Sequence, residues 1–221
     1  VLNTPFCMVK TYGKEDLAQH DYFDRKTCTK IFSARQVLPA LPQYHNQGKN
    51  VVIIILESFS REYIGFYNNS KGYTPFLDSL LGQSLVFRHS YANGKKSMEA
   101  VPAILAGIPA LSETPYVLSQ YSSNKIEGLP GILRRHGYHT SFFHGGTNGT
   151  MAFDVFAYMA GVDNYYGRNE YPVAADYDGH WGIWDEPYLQ YFAHMLNSFK
   201  QPFFTTVFTL SSHHPYKVPE K

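Results

Sequence analysis

No stretch of this sequence is long and apolar enough to cross a bilayer as a helix. The longest uninterrupted apolar run, Val51–Leu56, falls far short of the ~20 residues a spanning helix needs. An excess of charge of one sign is missing too. The 19 Lys and Arg against 18 Asp and Glu leave a formal net charge of +1, so no field attracts polyanions. With no basic recognition motif either, the sequence argues against nucleic-acid binding. Cysteine is scarce: only Cys7 and Cys28 occur, without CxxC spacing. They either pair in an oxidising compartment or remain free thiols. Internal repeats and low-complexity tracts are absent. Val1 is not an initiator Met, and no signal peptide is visible there. Together with the last residues, Val218-Pro219-Glu220-Lys221, this reads as a piece excised from a longer protein.

What is present suits a folded domain. The 221 residues are 44% hydrophobic and only 17% charged, enough for one large α/β domain with a sizeable core. Aromatics reach 16%, with 18 Tyr and 16 Phe, which fits aromatic-lined clefts or, more plainly, a Tyr-rich core.

The chain divides at about residue 50. Residues 1–49 mix polar, aromatic and proline residues and read as an arm or linker. Short helical pieces are expected at Glu15–Phe23 and Thr29–Val37, and loop at Leu38–Pro42 and Asn46–Gly48. From Asn50 to Lys221 strands alternate with helices. Val51–Leu56 is β-branched and apolar, which predicts a buried, parallel, central strand. Thr74 and Pro75 suit the N-cap and first position of a helix. Ser84–His89 reads as a strand. Lys96–Ala106 reads as a helix with Pro102 in its first turn and Ser97 at its N-terminus. A helix at Leu129–His136 stops at Gly137, and a strand at Tyr138–Phe143 runs into His144-Gly145-Gly146. Ala152–Ala160 is a helix ending at Gly161. Asp185 caps a helix over Glu186–Phe199, and Pro202–Leu210 is the last strand. This order predicts a mostly parallel sheet with helices on both faces. In such folds ligands bind at the carboxyl ends of strands, where Glu57, His144 and His213 stand.

Several residues carry candidate chemistry. Glu57 is a hard oxygen ligand for Mg²⁺, Mn²⁺ or, in a mixed site, Zn²⁺, or else a solvated strand-end glutamate. Ser97 is a nucleophile if a metal or base activates it, or else an ordinary N-cap serine. Lys95, Lys96 and the helix N-terminal N–H groups could hold an anionic substrate beside it. Glu99 suits the helix dipole and reads as structural. His213, next to His214, could contact phosphate or act as an acid or base. His144 is a weaker candidate of the same kind, because its glycines equally make a simple turn. Asp176–Asp185 holds three Asp and a His but matches no calcium-loop spacing.

Six motifs in order, Leu56-Glu57-Ser58, Thr74-Pro75-Phe76-Leu77, Gly94-Lys95-Lys96-Ser97, Phe143-His144-Gly145, Trp181-Gly182-Ile183-Trp184-Asp185-Glu186 and Ser212-His213-His214-Pro215-Tyr216, carry a resemblance. Over about Asn50 to Lys221 the chain resembles the lipoteichoic acid synthase family, phosphoglycerol transferases of the sulfatase and alkaline phosphatase superfamily. The resemblance implies an α/β fold around one divalent metal, Mn²⁺ or Mg²⁺. That metal would be held by a strand-end Glu, the Ser or Thr nucleophile and an Asp-His pair. Glu57 matches the first ligand, Ser97 the nucleophile, and His213 the histidine that contacts the substrate phosphate. It also implies a covalent intermediate on Ser97, passed on to an acceptor hydroxyl.

Two departures from the family, and one comparison with a competing family, shape the expectation. The family's Asp-His pair follows the His-x-Pro-Tyr segment, beyond Lys221, so the metal site is expected to be incomplete in this chain. The family's Trp and Arg for phosphoglycerol have no counterpart in Gly149–Asp154, which speaks against glycerol phosphate itself. Formylglycine sulfatases carry Pro and Arg two and four residues after the modified residue, where Ser97 is followed by Glu99 and Val101. The expected function is metal-dependent transfer of a phosphoalcohol group, phosphoglycerol-type, from a phospholipid or phosphoglycan to a glycan or lipid acceptor. The domain would lie on the extracytoplasmic side, tethered by membrane segments upstream of Val1. The alternatives are a phosphate or sulfate ester hydrolase, or a non-catalytic binding domain of the same fold.

Overall fold

The computed structural model describes residues 3–12, 17, 20–33, 37 and 48–219. Its centre is a four-stranded, all-parallel sheet of β1 (Val51–Ile55), β2 (His139–His144), β3 (Asn164–Tyr166) and β4 (Phe203–Phe208), in the order β1-β4-β2-β3. The longer helices are α1 (Thr4–Thr11), α2 (Arg25–Ile31), α3 (Pro75–Leu81), α4 (Ser97–Ala106), α5 (Leu129–Arg135), α6 (Phe153–Ala160) and α7 (Asp185–Leu196). This is the α/β architecture with a mostly parallel sheet and helices on both faces that the alternation predicts.

Period-two side-chain alternation splits the core into two layers. Phe142 of β2 and Phe204 and Phe208 of β4 point to one face and pack with Val101 and Leu105 of α4 and Phe153 and Phe156 of α6. Phe143 of β2 and Val207 of β4 point to the other and pack with Tyr188 and Phe192 of α7. Each such burial is worth about 1.5–3 kcal/mol. The inner strands also bury hydroxyls, which pair: Ser141 Oγ donates to Thr205 Oγ1 across β2 and β4 at 2.8 Å.

Four expectations change. β1 is parallel but lies at the sheet edge among the described residues, not at its centre. Ile53 and Ile55 reach the α4–α6 core layer, while Val52 and Ile54 are 41% and 58% exposed. An apolar run records that both faces tolerate cover, not that neighbours provide it. Ser84–His89 forms no strand; Leu85 and Phe87 are 85% and 71% exposed. Its propensity finds no pleated neighbour to pack on. Pro102 lies inside α4 rather than in its first turn. Asp185 opens α7 but does not cap it: Trp184 holds the cap position and makes no side-chain capping bond.

Before residue 50, α1 is capped by Asn3, whose Oδ1 accepts from Phe6 N at 2.8 Å, and α2 is capped by Asp24, whose carboxylate accepts from Lys26 N and Thr27 N. The helix expected at Thr29–Val37 therefore sits earlier. Of Glu15–Phe23, Leu17 and residues 20–23 are not helical, and the others lie outside the described residues. So do residues 38–47, including the expected Leu38–Pro42 loop. Cys28 is an exposed free thiol.

Candidate active site

The carboxyl ends of β1, β4 and β2 bring together Glu57, the Thr209–His213 segment and His144. Backbone stitching fixes Glu57. Its N–H donates to Thr209 Oγ1 at 2.9 Å, and its carbonyl accepts from Ser212 Oγ at 2.7 Å. Ser58 turns the chain sharply with φ 55°, a left-handed conformation that costs a serine about 1–2 kcal/mol. Ser58 Oγ donates to Glu57 Oε1 at 3.0 Å, and Ser97 Oγ donates to Glu57 Oε2 at 2.7 Å.

Ser97 is the first residue of α4, and the turn before it is wound around Glu99. The Glu99 Oε2 accepts from Lys95 N at 2.6 Å and Lys96 N at 3.1 Å. Gly94 makes the approach with φ 97°; a Cβ there would lie 2.5 Å from Glu99 Oε2. The backbone N–H groups of Lys95 and Lys96 are therefore spent on Glu99. What Lys96 retains for an anion is its exposed ammonium.

The Glu57 carboxylate and Ser97 hydroxyl are hard oxygen donors within hydrogen-bond reach of each other, so they suit two positions around a divalent cation. A full shell needs four or more donors. Among the described residues no group of three His, Cys, Asp or Glu side chains is arranged to hold a metal ion. The Asp176–Asp185 loop does not supply them. Asp178 Oδ1 accepts from His180 N, Trp181 N and Gly182 N at 2.7, 2.8 and 3.1 Å. The Asp185 carboxylate accepts from Leu210 N at 2.7 Å and Ser211 N at 2.8 Å, while Ser211 Oγ accepts from Asp185 N at 2.8 Å. Burial pushes the Asp185 carboxyl up, against the bonds from Ser211 and Leu210 that favour its charge.

His213 is half-buried, its ring 4.6 Å from the Trp181 ring, edge to face. His144 is fully buried under the site, so in this arrangement it meets no substrate directly. Its Nδ1 lies 3.1 Å from Phe208 O. A carbonyl only accepts, so Nδ1 carries the proton and Nε2 is left as a lone pair, with no partner. Gly146 lies over that atom: a Cβ there would be 2.7 Å from Nε2. Burial pushes the His144 pKa down to about 4, against the Phe208 bond and the Glu57 charge.

This gives an acid sensitivity with a defined sign. The unfolded chain binds a proton near pH 6.5 and the folded ring only near pH 4. The contribution is complete above about pH 6.5 and is lost as pH falls toward 4, with a size of about 3 kcal/mol. Asparagine keeps a donor near the Nδ1 position but does not titrate. Urea midpoints at pH 7 and pH 4 should therefore fall further for the wild type than for His144→Asn. Equal falls would remove His144 as the cause.

Glu57, Ser97 and their setting are thus in contact. The roles of Ser58, Thr209, Ser212 and Trp181 enter only through the structure. Ser58, Thr209 and Ser212 have only their nearness to a strand-end Glu or His as a local signal, and Trp181 only its place in the Trp181–Glu186 motif.

The sulfatase family model matches residues 49–221. The lipoteichoic acid synthase-like protein YvgJ of Bacillus subtilis (strain 168) is 28% identical over 178 residues, 79% of this chain and 28% of its own length. A solved alkaline phosphatase superfamily protein from Vibrio parahaemolyticus is 29% identical with TM-score 0.72, over 80% of this chain and 44% of that one. The lipoteichoic acid synthase LtaP of Listeria monocytogenes, 23% identical with TM-score 0.67 over 78% of this chain and 43% of that one, shares the fold. The chain spans under a third of the length of the curated relatives it matches.

Proposed function

We propose, from the premise that this chain belongs to the sulfatase family, that it carries the nucleophile of a phosphoalcohol transferase. The contact that supports this reading is Ser97 Oγ on Glu57 Oε2 at 2.7 Å, at the carboxyl end of the sheet. The donor would be a phospholipid or phosphoglycan with a phosphoalcohol head group of the phosphoglycerol type, though not glycerol phosphate itself, and the acceptor a glycan or lipid hydroxyl. The names of relatives, lipoteichoic acid synthases, point the same way. Residues 50–221 form the catalytic part and residues 1–49 an arm. Among the described residues no helix is long and apolar enough to cross a membrane. We place the domain on the extracytoplasmic side, tethered by segments outside this chain.

The chain's own residues do the following. Glu57 takes the Ser97 hydrogen, which turns an Oγ lone pair outward. Ser97 Oγ attacks the phosphorus of the donor diester; the bond from phosphorus to the lipid oxygen breaks, and that oxygen leaves with the proton that Glu57 took from Ser97. The acceptor hydroxyl then attacks the phosphorus of the resulting Ser97 phosphodiester and gives its proton to Glu57; the bond from phosphorus to Oγ breaks, and Oγ takes that proton back, which restores the serine. The Lys96 ammonium and the N-terminus of α4 favour the anionic phosphoryl group. His213 follows Ser212, whose hydroxyl is bonded to the Glu57 carbonyl, and is assigned to the substrate phosphate. Glu57 and Ser97 would hold one divalent cation, Mn²⁺, Mg²⁺ or Zn²⁺, with donors from elsewhere in the protein. Such a cation lowers the pKa of a bound hydroxyl and neutralises phosphoryl charge.

Turnover of a labelled donor by the intact protein, followed with and without acceptor, tests the reaction class. Release of the lipid alcohol should rise at least about tenfold with saturating acceptor, and the label should appear on it. Release at one rate regardless of acceptor, with the label going to water, would make the protein an ester hydrolase.

A further inference from the structure

The loop before α7 ends up against the last candidate residue of the site, and its contacts there are specific. The Trp181 indole N–H donates to His214 O at 2.8 Å. His213 Nδ1 lies 2.9 Å from the same oxygen. Because a carbonyl can only accept, Nδ1 carries a proton whenever that bond is made. Two donors therefore converge on one oxygen, which has two lone pairs and so accepts both. The Trp181 ring lies edge-on to His213 at 4.6 Å, at an interplanar angle of 65°.

The loop is in turn held still. Three N–H groups, those of His180, Trp181 and Gly182, converge on Asp178 Oδ1. A short antiparallel bridge pairs Gly146 with Gly182, and Thr147 N donates to Trp181 O at 3.3 Å. Trp181 is thus mounted on the end of β2, while His213 hangs from the end of β4. The indole spans the two.

We propose that Trp181 is a positioning residue for His213: by sharing the His214 carbonyl it fixes the imidazole with Nδ1 protonated and reserves Nε2 for the substrate. Asp178, His180 and Lys217 line the same hollow as His213, and the His214 ring lies 4.5 Å away. None of them takes the Nδ1 position, which the His214 carbonyl already fills. The inference deepens the proposed transfer reaction and rests on it for its kinetic consequence, but not for the tautomer.

Two measurements on the intact protein test it. The first is the ¹⁵N NMR signature of the neutral His213 ring. The Nδ1–H tautomer is expected, with Trp181→Phe mixing in the Nε2–H form; a dominant Nε2–H form in the wild type would overturn the assignment. This needs no turnover, so it stands even where Ser97 proves uninvolved. The second is a double-mutant cycle on phosphoalcohol transfer. Trp181→Phe keeps an aromatic edge and loses the N–H. It should lower kcat about tenfold while leaving KM within about twofold, because a misplaced group costs rate rather than binding. In a His213→Gln background the same change should leave the residual rate within about twofold. An equal tenfold loss in both backgrounds would mean that Trp181 supports the fold generally, and the proposal would fail.

Discussion

Ser97→Ala lowers transfer by the intact protein at least about 10³-fold while leaving the folded state within about 1 kcal/mol of the wild type. Loss of a covalent nucleophile removes the bond on which the first step depends, and losses of this order or larger follow from such changes. The stability side of the expectation comes from the surroundings. Ser97 is half-buried and gives up one hydrogen bond, to Glu57, a group that Ser58 Oγ still contacts at 3.0 Å. Two readouts separate this from a plain N-cap role. An N-cap alanine costs about 1 kcal/mol of stability and leaves the chemistry alone. A nucleophile shows the reverse, and its phosphodiester adduct can be trapped on the peptide containing Ser97 by rapid denaturation after donor is added. Retained turnover in the variant, or an adduct elsewhere, would remove Ser97 from the mechanism.

The second large effect lies 88 residues further along the sequence, at Asp185. As a helix cap it would tolerate asparagine almost without cost, since Asn and Asp cap about equally well. The structure gives it a different task. Its two carboxylate oxygens take the N–H groups of Leu210 and Ser211, just beyond β4. Asp185→Ala leaves both donors without an acceptor in a part-buried setting, an expected loss of about 2–4 kcal/mol. Asp185→Asn should cost roughly half of that, because its amide nitrogen must face an N–H donor. Urea denaturation at pH 7 measures both variants. A loss under about 0.5 kcal/mol for the asparagine variant would return Asp185 to the role of a cap. The consequence reaches the site, since Leu210 and Ser211 lead directly into Ser212, which donates to Glu57 O, and into His213.

Legibility in the sequence differed from residue to residue. The helix beginning at Ser97, the parallel strands ending near Glu57, His144 and His213, and the gathering of these ends at one edge all follow from alternation and caps. These are local patterns, and the strand-end rule converts them into a place. The edge position of β1 was not legible, because Val51–Ile55 is apolar on both faces whatever covers it. The Ser84–His89 segment misled for a related reason: its propensity is local, and its pairing is not. Asp185 misled because the residue types that cap a helix also accept any other backbone N–H. His144 looked like a ligand contact beside two glycines, and the structure buries its ring completely with Gly146 over Nε2.

The sequence by itself determined the class of fold, the order of its elements, and which end of the sheet carries the carboxylate, the hydroxyl and the imidazoles. Period and turn chemistry act within a few residues, so they can be read along the chain. Only the tertiary structure decided which polar groups meet: Ser97 with Glu57, Asp185 with the end of β4, and Trp181 and His213 on one carbonyl. A hydrogen bond forms between groups brought to about 3 Å, and the first two of these pairs, like Trp181 and His214, are separated by 25 to 40 residues. That closeness is set by how the strands order in the sheet, which no local pattern contains.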